Sequence, residues 1–451
     1  MKTTDRRRDL LGTLLLALFL VMALALQFSC RAKEEPSQAA PPAAERVRLG
    51  VEVFLESRLD LVTGKKVGLI TNPTGMDSRL RSDIEILRES GRVELVALYG
   101  PEHGVRGNVQ GGIYIPFYFD DKHRLPVFSL YGQSLKPDPG MLKNIDEYMR
   151  AFDSDEAGRG KIPEGEMIRD VDVLIYDIQD VGTRVYTYAA TMAYAMQAAA
   201  QSGVGFIVLD RPNPINGLTM EGPVLEPEFS SFIGLYPIPE RHGMTVGELA
   251  LMINDRFLEK KADLMVIPMQ GWRRDMWFDQ TGLPWVIPSP NMPTLDTATV
   301  YPGQVCLEGT NVSEGRGTTR PFEMFGAPWI DGFDLARRLN GLALPGVTFR
   351  ECWFTPSFSK FAGEPCGGAE VHVTDREAYR PFETALYIVK TIRDMYPDKF
   401  EFHPGYFDKV MGTAKVREGL EKGLDVAPIA DAYGAGLKAF AEARRPYLLY
   451  E

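Results

Sequence analysis

The chain has 451 residues, of which 45% are hydrophobic and 25% are charged, and its formal net charge is −11 at pH 7. This composition is typical of a globular protein with a large core and excludes a disordered chain. The acidic excess argues against nucleic acid or an anionic membrane surface as the main partner, so an anionic ligand would need local arginines.

The first 29 residues are predicted to be a signal peptide. A basic start is followed by an apolar stretch from Leu10 to Phe28 and then by Ser29 and Cys30, which is the order of segments in an export signal. The stretch also approaches the length of a membrane-spanning helix, so a plain membrane anchor stays open. A small residue before a cysteine resembles the bacterial lipoprotein pattern. We therefore predict Cys30 as a lipidation site in the cell envelope, followed by an Ala- and Pro-rich tether over residues 30–46.

From residue 47 onward, short apolar runs alternate with apolar helical patterns. Runs typical of strands cover residues 66–71, 93–98, 126–130, 172–178, 205–210 and 262–268. Helical patterns separate several of them, for example in residues 187–201 and 245–258. This alternation predicts an α/β fold, with a Rossmann-like parallel sheet and helices on both faces over residues 47–296. The later pattern of mixed short segments predicts a second, smaller α/β domain over residues 297–451.

Polar loops that contain glycine follow most of the predicted strands. They read NPTG after the first strand, GPEHGVRG after the second, QDVGTRVYTY after the fourth, RPNPING after the fifth and MQGWRRDMW after the sixth. Because open parallel sheets bind ligands at the carboxyl ends of their strands, we expect these loops to converge on one site. Neither a GxGxxG motif after the first strand nor a P-loop is present, so a nucleotide site is unsupported.

Seven short motifs carry a resemblance to a known family. In chain order they are YGPEHGVRG, YDIQDVGTRVYTY, LDRPNPING, EGP, ERHGMTVGELA, SPNMP and EGTNVSEGRGTTRPFE. From about residue 48 to its end the chain resembles the NamZ-type peptidoglycan exo-β-N-acetylmuramidases. The resemblance implies a Rossmann-like domain, a smaller C-terminal domain, and hydrolytic release of N-acetylmuramic acid from the non-reducing ends of peptidoglycan fragments. One position departs from the family, since Ile113 stands where relatives commonly have an acid.

Glu102 is predicted to donate the proton in this reaction. A glycosidase needs such a donor and a second group that attacks, activates water or supports the acetamido group of the substrate. Glu102 follows a predicted strand, and His103 beside it is expected to polarise a hydroxyl group or to hold Glu102 in place. An ion pair between Glu102 and Arg106 is the structural alternative. Asp177 and Glu314 are the other candidate catalytic acids.

Six residues are predicted to bind the substrate: Arg184, Tyr186, Asn213, Asn311, Arg316 and Thr318. Arg184 and Arg316 lie in glycine-containing loops, and a guanidinium group can hold the lactyl carboxylate of muramic acid through two hydrogen bonds. Tyr186 is a candidate for stacking on the sugar, and Asn213 for donation to the N-acetyl oxygen. A core position for Tyr186 and a turn for Asn213 are the alternatives.

No cofactor or metal site is predicted, because no HExxH motif or comparable ligand spacing is present. Three cysteines follow the signal segment, and both a disulfide between Cys352 and Cys366 and buried free thiols stay open. The alternative function is a lipoprotein that binds sugars or peptidoglycan fragments without cleaving them. No nucleic-acid partner is expected.

Overall fold

The computed structural model describes residues 46–131 and 171–451. Twelve strands lie in this part of the chain: β1 (Lys66–Thr71), β2 (Glu94–Gly100), β3 (Tyr118–Asp120), β4 (Leu125–Ser129), β5 (Val173–Asp177), β6 (Gly205–Leu209), β7 (Glu221–Val224), β8 (Pro239–Arg241), β9 (Asp263–Ile267), β10 (Met324–Ala327), β11 (Val347–Phe354) and β12 (Cys366–Val373). The α-helices of the same part of the chain are α1 (Gly50–Ser57), α2 (Asp83–Glu89), α3 (Tyr188–Ser202), α4 (Val246–Arg256), α5 (Leu295–Gln304), α6 (Gly332–Gly341), α7 (Pro381–Met395), α8 (Pro404–Met411), α9 (Lys415–Glu421), α10 (Val426–Asp431) and α11 (Gly434–Arg444).

The main sheet has seven strands in the order β3-β4-β2-β1-β5-β6-β9. All neighbouring pairs are parallel except β3 with β4, which lies at one edge. The six strands predicted from the sequence are all present, with ends that differ by at most two residues. The predicted α/β fold class is therefore confirmed.

Two hydrophobic clusters cover the two faces of the main sheet. Alternate residues of the central strand β5 point in opposite directions, so Val173 and Ile175 belong to one cluster, whereas Leu174 and Tyr176 belong to the other. The whole of β5 is buried, as expected for a parallel strand covered on both faces. Such a strand is recognised by its short, continuous apolar run and not by alternation.

The second domain contains a three-stranded antiparallel sheet in the order β10-β12-β11. Helix α6 packs on strands β11 and β12 of this sheet, and α7 packs against α6 and α5. The described residues from 46 onward group as one compact unit. The predicted division after residue 296 stays a prediction.

The three cysteines of the described part of the chain are free and buried. Cys352 faces Gly368 across the β11–β12 pair, and Cys366 faces Phe354. Burial raises the pKa of the Cys352 thiol to about 12 and that of the Cys366 thiol to about 11. Of the two alternatives left open by the sequence, the structure has buried free thiols.

The predicted signal peptide, Cys30 and nearly all of the tether lie outside the described residues. Among the helices that the structure does describe, none has the length and apolar character needed to cross a membrane.

Candidate functional site

A cleft of about 730 Å³ lies between the main sheet and the second domain. This volume is in the range of about 300–1,000 Å³ that is usual for small-molecule sites. The loop after β2 and the loop after β5 form one wall, and residues 301–322, residues 358–360 and Tyr406 of the second domain form the other. The cleft is thus at the carboxyl ends of β2 and β5, which lie on either side of β1 in the sheet. Of the five loops expected to converge on one site, these two line the cleft, whereas NPTG, RPNPING and MQGWRRDMW do not.

The loop after β2 presents Glu102 and His103 through two successive residues with positive φ. His103 has φ +72° and Gly104 has φ +76°, and the Gly104 amide donates to the Pro101 carbonyl to close a tight turn. A positive φ is unfavourable for a residue with a side chain and persists only where the surrounding structure holds it. The turn carries Arg106 away from Glu102, and Arg106 forms an ion pair with Asp120 instead.

Neutral donors hold the Glu102 carboxylate. Oε1 accepts a hydrogen bond from the Gly112 amide at 3.0 Å, and Oε2 accepts one from the Thr187 hydroxyl at 2.8 Å. No ion pair in the described part of the chain includes Glu102. The predicted alternative, in which Glu102 pairs with Arg106, is therefore wrong, because Asp120 takes that guanidinium group.

His103 lies beside Glu102 and is only 9% exposed. Burial lowers the pKa of its imidazole, although Glu102 and the Val109 carbonyl act in the opposite direction. The Val109 carbonyl is 2.7 Å from Nδ1 and can only accept, so the neutral ring carries its proton on Nδ1. The lone pair on Nε2 then serves as a hydrogen-bond acceptor.

On the second domain, a charged cluster faces these residues: Glu308, Glu314, Arg316, Lys360 and Tyr406. Arg316 Nη2 is 2.6 Å from Glu308 Oε1, and Arg316 Nε is 3.4 Å from Glu314 Oε1. Lys360 Nζ is 3.0 Å from Glu314 Oε2, and the Tyr406 hydroxyl donates to Glu308 Oε2 at 2.8 Å. Within the cluster, each glutamate is therefore paired with a cation.

Local backbone geometry brings Glu314 and Arg316 into the cleft. Gly315 has φ +79° and Gly317 has φ +84°, and a Cβ at Gly317 would lie 2.6 Å from the Phe358 carbonyl oxygen. Glycine is therefore required for the close approach of residues 358–360 to this loop. The two glycines of the EGRG sequence are therefore explained by the backbone conformation of this loop and by its close packing.

Charge pairing also determines the protonation of the cluster. Burial alone would lower the pKa of Arg316, but Glu308 and Glu314 outweigh it and raise the pKa above its ordinary value. Burial and, next, Glu308 raise the pKa of Tyr406, so its hydroxyl remains protonated. Arg316 Nη1 has no hydrogen bond to a described residue and is free to donate to a ligand.

Buried aromatic rings form the floor of the cleft. Tyr186 packs edge-on against Tyr188 at 4.9 Å and against Tyr301 at 5.8 Å, and Tyr301 packs against Phe322. Tyr186 is buried in the core, and its hydroxyl lies beside Ser289. This is the core position that was the alternative for Tyr186, and its contact with substrate stays a prediction.

Two family models match this chain over nearly all of the described residues. The model described as "Exo-beta-N-acetylmuramidase NamZ, N-terminal" matches residues 67–159 and 155–296, and that described as "Exo-beta-N-acetylmuramidase NamZ, C-terminal" matches residues 299–450. The chain belongs to the NamZ family. The predicted family resemblance is confirmed.

Individual relatives agree with this assignment. The chain is 48% identical over 406 residues to the peptidoglycan β-N-acetylmuramidase NamZ of Bacillus subtilis, a match that covers 90% of this chain and 92% of that protein. Crystal structures of two DUF1343 family proteins from Bacteroides fragilis are also similar. They are 40% and 31% identical with TM-scores of 0.79 and 0.65, and each match covers 90% of this chain and 99% of the solved chain.

In this NamZ family member, the cleft brings together five of the ten predicted catalytic and substrate-binding residues: Glu102, His103, Tyr186, Glu314 and Arg316. Asp177 is not among them. It lies at the end of β5 and is fully buried, where Arg211 grips it with Nε at 2.6 Å and Nη2 at 2.9 Å. This ion pair joins the end of β5 to the start of the loop after β6.

Arg184 and Asn213 also lie away from the cleft lining. Arg184 Nη2 donates to Glu240 Oε2 at 2.6 Å and to the Val410 carbonyl at 2.9 Å. Asn213 donates to the Met244 carbonyl and accepts from the Ile215 amide. Both side chains connect neighbouring segments inside the protein. For Asn213, this agrees with the alternative that it stabilises a turn.

Asn311 and Thr318 make hydrogen bonds within the protein and do not line the cleft. The Asn311 amide donates to the Lys399 carbonyl, and its oxygen accepts from the Glu401 amide. Thr318 Oγ1 donates to the Gly315 carbonyl at 2.6 Å. Ile113, at the position where an acid was expected, is 53% exposed, next to the Gly112 amide that binds Glu102.

Several residues of the cleft were missed from the sequence: Thr187, Phe232, Tyr301, Glu308, Phe322, Lys360 and Tyr406. Three of them lie in the motifs identified from the sequence. Thr187 lies in the YDIQDVGTRVYTY motif, and Glu308 and Phe322 lie in the motif that contains Glu314. Lys360 and Tyr406 lie outside all seven motifs, so only the tertiary structure identifies them. Among the described residues, no group of three His, Cys, Asp or Glu side chains could hold a metal ion.

Proposed function

We propose that this chain is an exo-acting β-N-acetylmuramidase that releases N-acetylmuramic acid from the non-reducing ends of peptidoglycan fragments. Membership of the NamZ family and 48% identity to a peptidoglycan β-N-acetylmuramidase support this proposal. The cleft supplies the chemistry that such a reaction needs.

One observation carries the proposal for the site. Glu102 is an acid of the cleft that has no cationic partner in the described chain, whereas Glu308 and Glu314 are both paired. A general acid must be able to hold and release a proton, and a nearby cation opposes protonation of a carboxylate. Glu102 therefore protonates the glycosidic oxygen of the leaving group, and neutral His103 keeps the loop ordered through its bond to Val109.

Arg316 orients the sugar. Its Nη1 donates to no described residue, and muramic acid offers hydroxyl, acetamido and carboxylate acceptors. Arg316 is the candidate for the lactyl carboxylate, because a guanidinium group binds a carboxylate with defined geometry.

Replacement of this arginine tests the assignment. We expect Arg316→Lys to reduce the discrimination between N-acetylmuramic and N-acetylglucosamine glycosides by about 1–3 kcal/mol, since lysine cannot keep both glutamates and a ligand in the same planar arrangement. This discrimination is measured as the ratio of the kcat/KM values for chromogenic glycosides of N-acetylmuramic acid and N-acetylglucosamine. Arg320→Lys is the matched control, because Arg320 pairs with Glu323 and does not line the cleft. An unchanged ratio in Arg316→Lys would mean that another group binds the carboxylate.

Product analysis distinguishes the muramidase from the alternative function, which is sugar binding without cleavage. Incubation of the protein with a disaccharide that ends in N-acetylmuramic acid should release the free monosaccharide at a rate proportional to enzyme concentration. Saturable binding of the disaccharide without release of the monosaccharide would favour the binding protein.

We also propose that the protein is exported and lipid-anchored at Cys30. The basic start, the apolar stretch and the Ser29–Cys30 pair support this location, and the Ala- and Pro-rich residues that follow suit a tether. Labelled palmitate should enter the wild type and not Cys30→Ala in a bacterial host. Equal labelling of both proteins would contradict the anchor.

A further inference from the structure

A second group of aromatic residues reaches the cleft beside Glu102. Tyr131 and Phe232 line the cleft, and their ring centroids are 5.6 Å apart. Tyr194 of α3 continues this group, because its ring stacks on Phe232 at 6.2 Å with an interplanar angle of 11°. We call Tyr131, Phe232 and Tyr194 the aromatic strip.

The strip begins next to the proton donor. Tyr131 and Glu102 line the same cleft, and burial followed by the Glu102 carboxylate raises the pKa of the Tyr131 hydroxyl. The charged cluster also lies within electrostatic reach of this position, since Arg316 contributes to the low pKa of His103. No ring contact or hydrogen bond joins the strip to the charged cluster in the described chain, so they are separate surfaces of one cleft.

The two surfaces suit chemically different sugars. The glycosidic oxygen must lie at Glu102 during hydrolysis, so the two sugars that it joins occupy the surfaces that meet there. N-acetylmuramic acid carries a carboxylate and needs the side with cationic donors. The sugar on the leaving side, N-acetylglucosamine, has no charge, and its ring faces carry C–H groups that pack on aromatic rings.

We propose that the aromatic strip binds the N-acetylglucosamine unit on the leaving-group side of the bond that is cleaved. This inference rests on the proposed muramidase function and extends it from the released sugar to its neighbour in the glycan. Phe232 is the specificity-determining residue of the strip, because it touches both other rings and faces the cleft.

Substrates with and without the second sugar test the assignment. For Phe232→Ala, kcat/KM on the disaccharide N-acetylmuramyl-β-1,4-N-acetylglucosamine should fall by about 10- to 30-fold, the effect of losing one well-packed aromatic contact. Hydrolysis of methyl β-N-acetylmuraminide, which lacks a leaving-side ring, should stay within about twofold of wild type on the same reasoning. Phe232→Leu retains most of the apolar volume, so it should fold. Its kcat/KM should also fall on the disaccharide and not on the methyl glycoside, but by a smaller factor than in Phe232→Ala.

Binding provides a second measurement. In a Glu102→Gln background, Phe232→Ala should weaken calorimetric binding of the disaccharide and leave the binding of free N-acetylmuramic acid unchanged. Trp353→Ala is the control, because Trp353 is 69% exposed and lies away from the cleft. Equal losses on both substrates, or no loss on either, in both Phe232 variants would overturn the assignment. A wild type that cleaves neither substrate would overturn the muramidase proposal and the strip's role together.

Discussion

Glu102→Gln should lower turnover of a peptidoglycan disaccharide by about 10²- to 10⁴-fold, the range expected when a general acid is removed. The amide is nearly isosteric: its oxygen can still accept from the Gly112 amide, and its NH2 group can donate to the Thr187 hydroxyl oxygen. The fold and sugar binding should therefore be retained. An aryl muraminide has a better leaving group and needs less protonation. Its turnover should therefore fall much less than that of the disaccharide.

A second carboxylate in the same cleft provides a matched comparison. Glu308 accepts from Arg316 and from Tyr406, so Glu308→Gln should disturb binding and lower kcat/KM on both substrates by a similar factor. Kinetic measurements on the disaccharide and the aryl muraminide distinguish a proton donor from a residue that only binds substrate. Circular dichroism verifies that each variant is folded. Equal losses in Glu102→Gln would indicate a nucleophilic or orienting role, and near-normal turnover would move the proton donor to Glu314 or another residue.

Arg184→Met should reduce the free energy of unfolding by about 3–5 kcal/mol, the usual cost of removing one partner of a buried ion pair. Its partner Glu240 is fully buried, with Oε2 2.6 Å from Arg184 Nη2. Without the arginine, Glu240 would keep its desolvation penalty and lose the attraction that offsets it. Urea unfolding of the two proteins measures the difference.

The pH dependence of this loss follows from the pKa of Glu240. Burial raises that pKa to about 7, even though Arg184 opposes the shift. Glu240 then binds its proton more tightly in the folded than in the unfolded protein, so its contribution to stability is largest at acidic pH and falls as the pH rises towards 7. The destabilisation in Arg184→Met should therefore be larger at pH 8 than at pH 5.5.

The double variant Arg184→Met/Glu240→Leu checks the cause. Replacement of both partners by apolar groups leaves no uncompensated charge and should recover most of the lost stability. If Arg184→Met is as stable as the wild type and no longer distinguishes muramic from glucosamine glycosides, the structural role is contradicted. Arg184 would then bind the substrate, as the sequence predicted.

The sheet could be predicted from the sequence because its strands are short, apolar and separated by helices. β5 is buried on both sides and reads as a continuous apolar run, and Gly203 ends α3 in a left-handed conformation, so both signals are local. Cys352 and Cys366 show the opposite case. Their spacing left a disulfide open, and only the register of β11 with β12 places them opposite Gly368 and Phe354.

Sequence motifs identified Glu102 and Arg316 but could not separate them from Asp177 and Arg184, which have the same side-chain chemistry. The choice depends on partners that are distant in the chain. Arg211, 34 residues from Asp177, and Glu240, 56 residues from Arg184, bury the latter two side chains in ion pairs. A motif contains no information about which charges will meet after folding.

By itself the sequence determined six of the seven strands of the main sheet, the edge of that sheet at which the cleft lies, and the family, because these depend on residue patterns along the chain. Only the tertiary structure decided that Glu102 lies in the cleft without a cationic partner, that Arg106 turns to Asp120, and that Tyr406 and Lys360 complete the opposite wall. The physical reason is that burial and charge pairing are properties of groups that folding brings together from separate segments, and they control protonation and ligand binding.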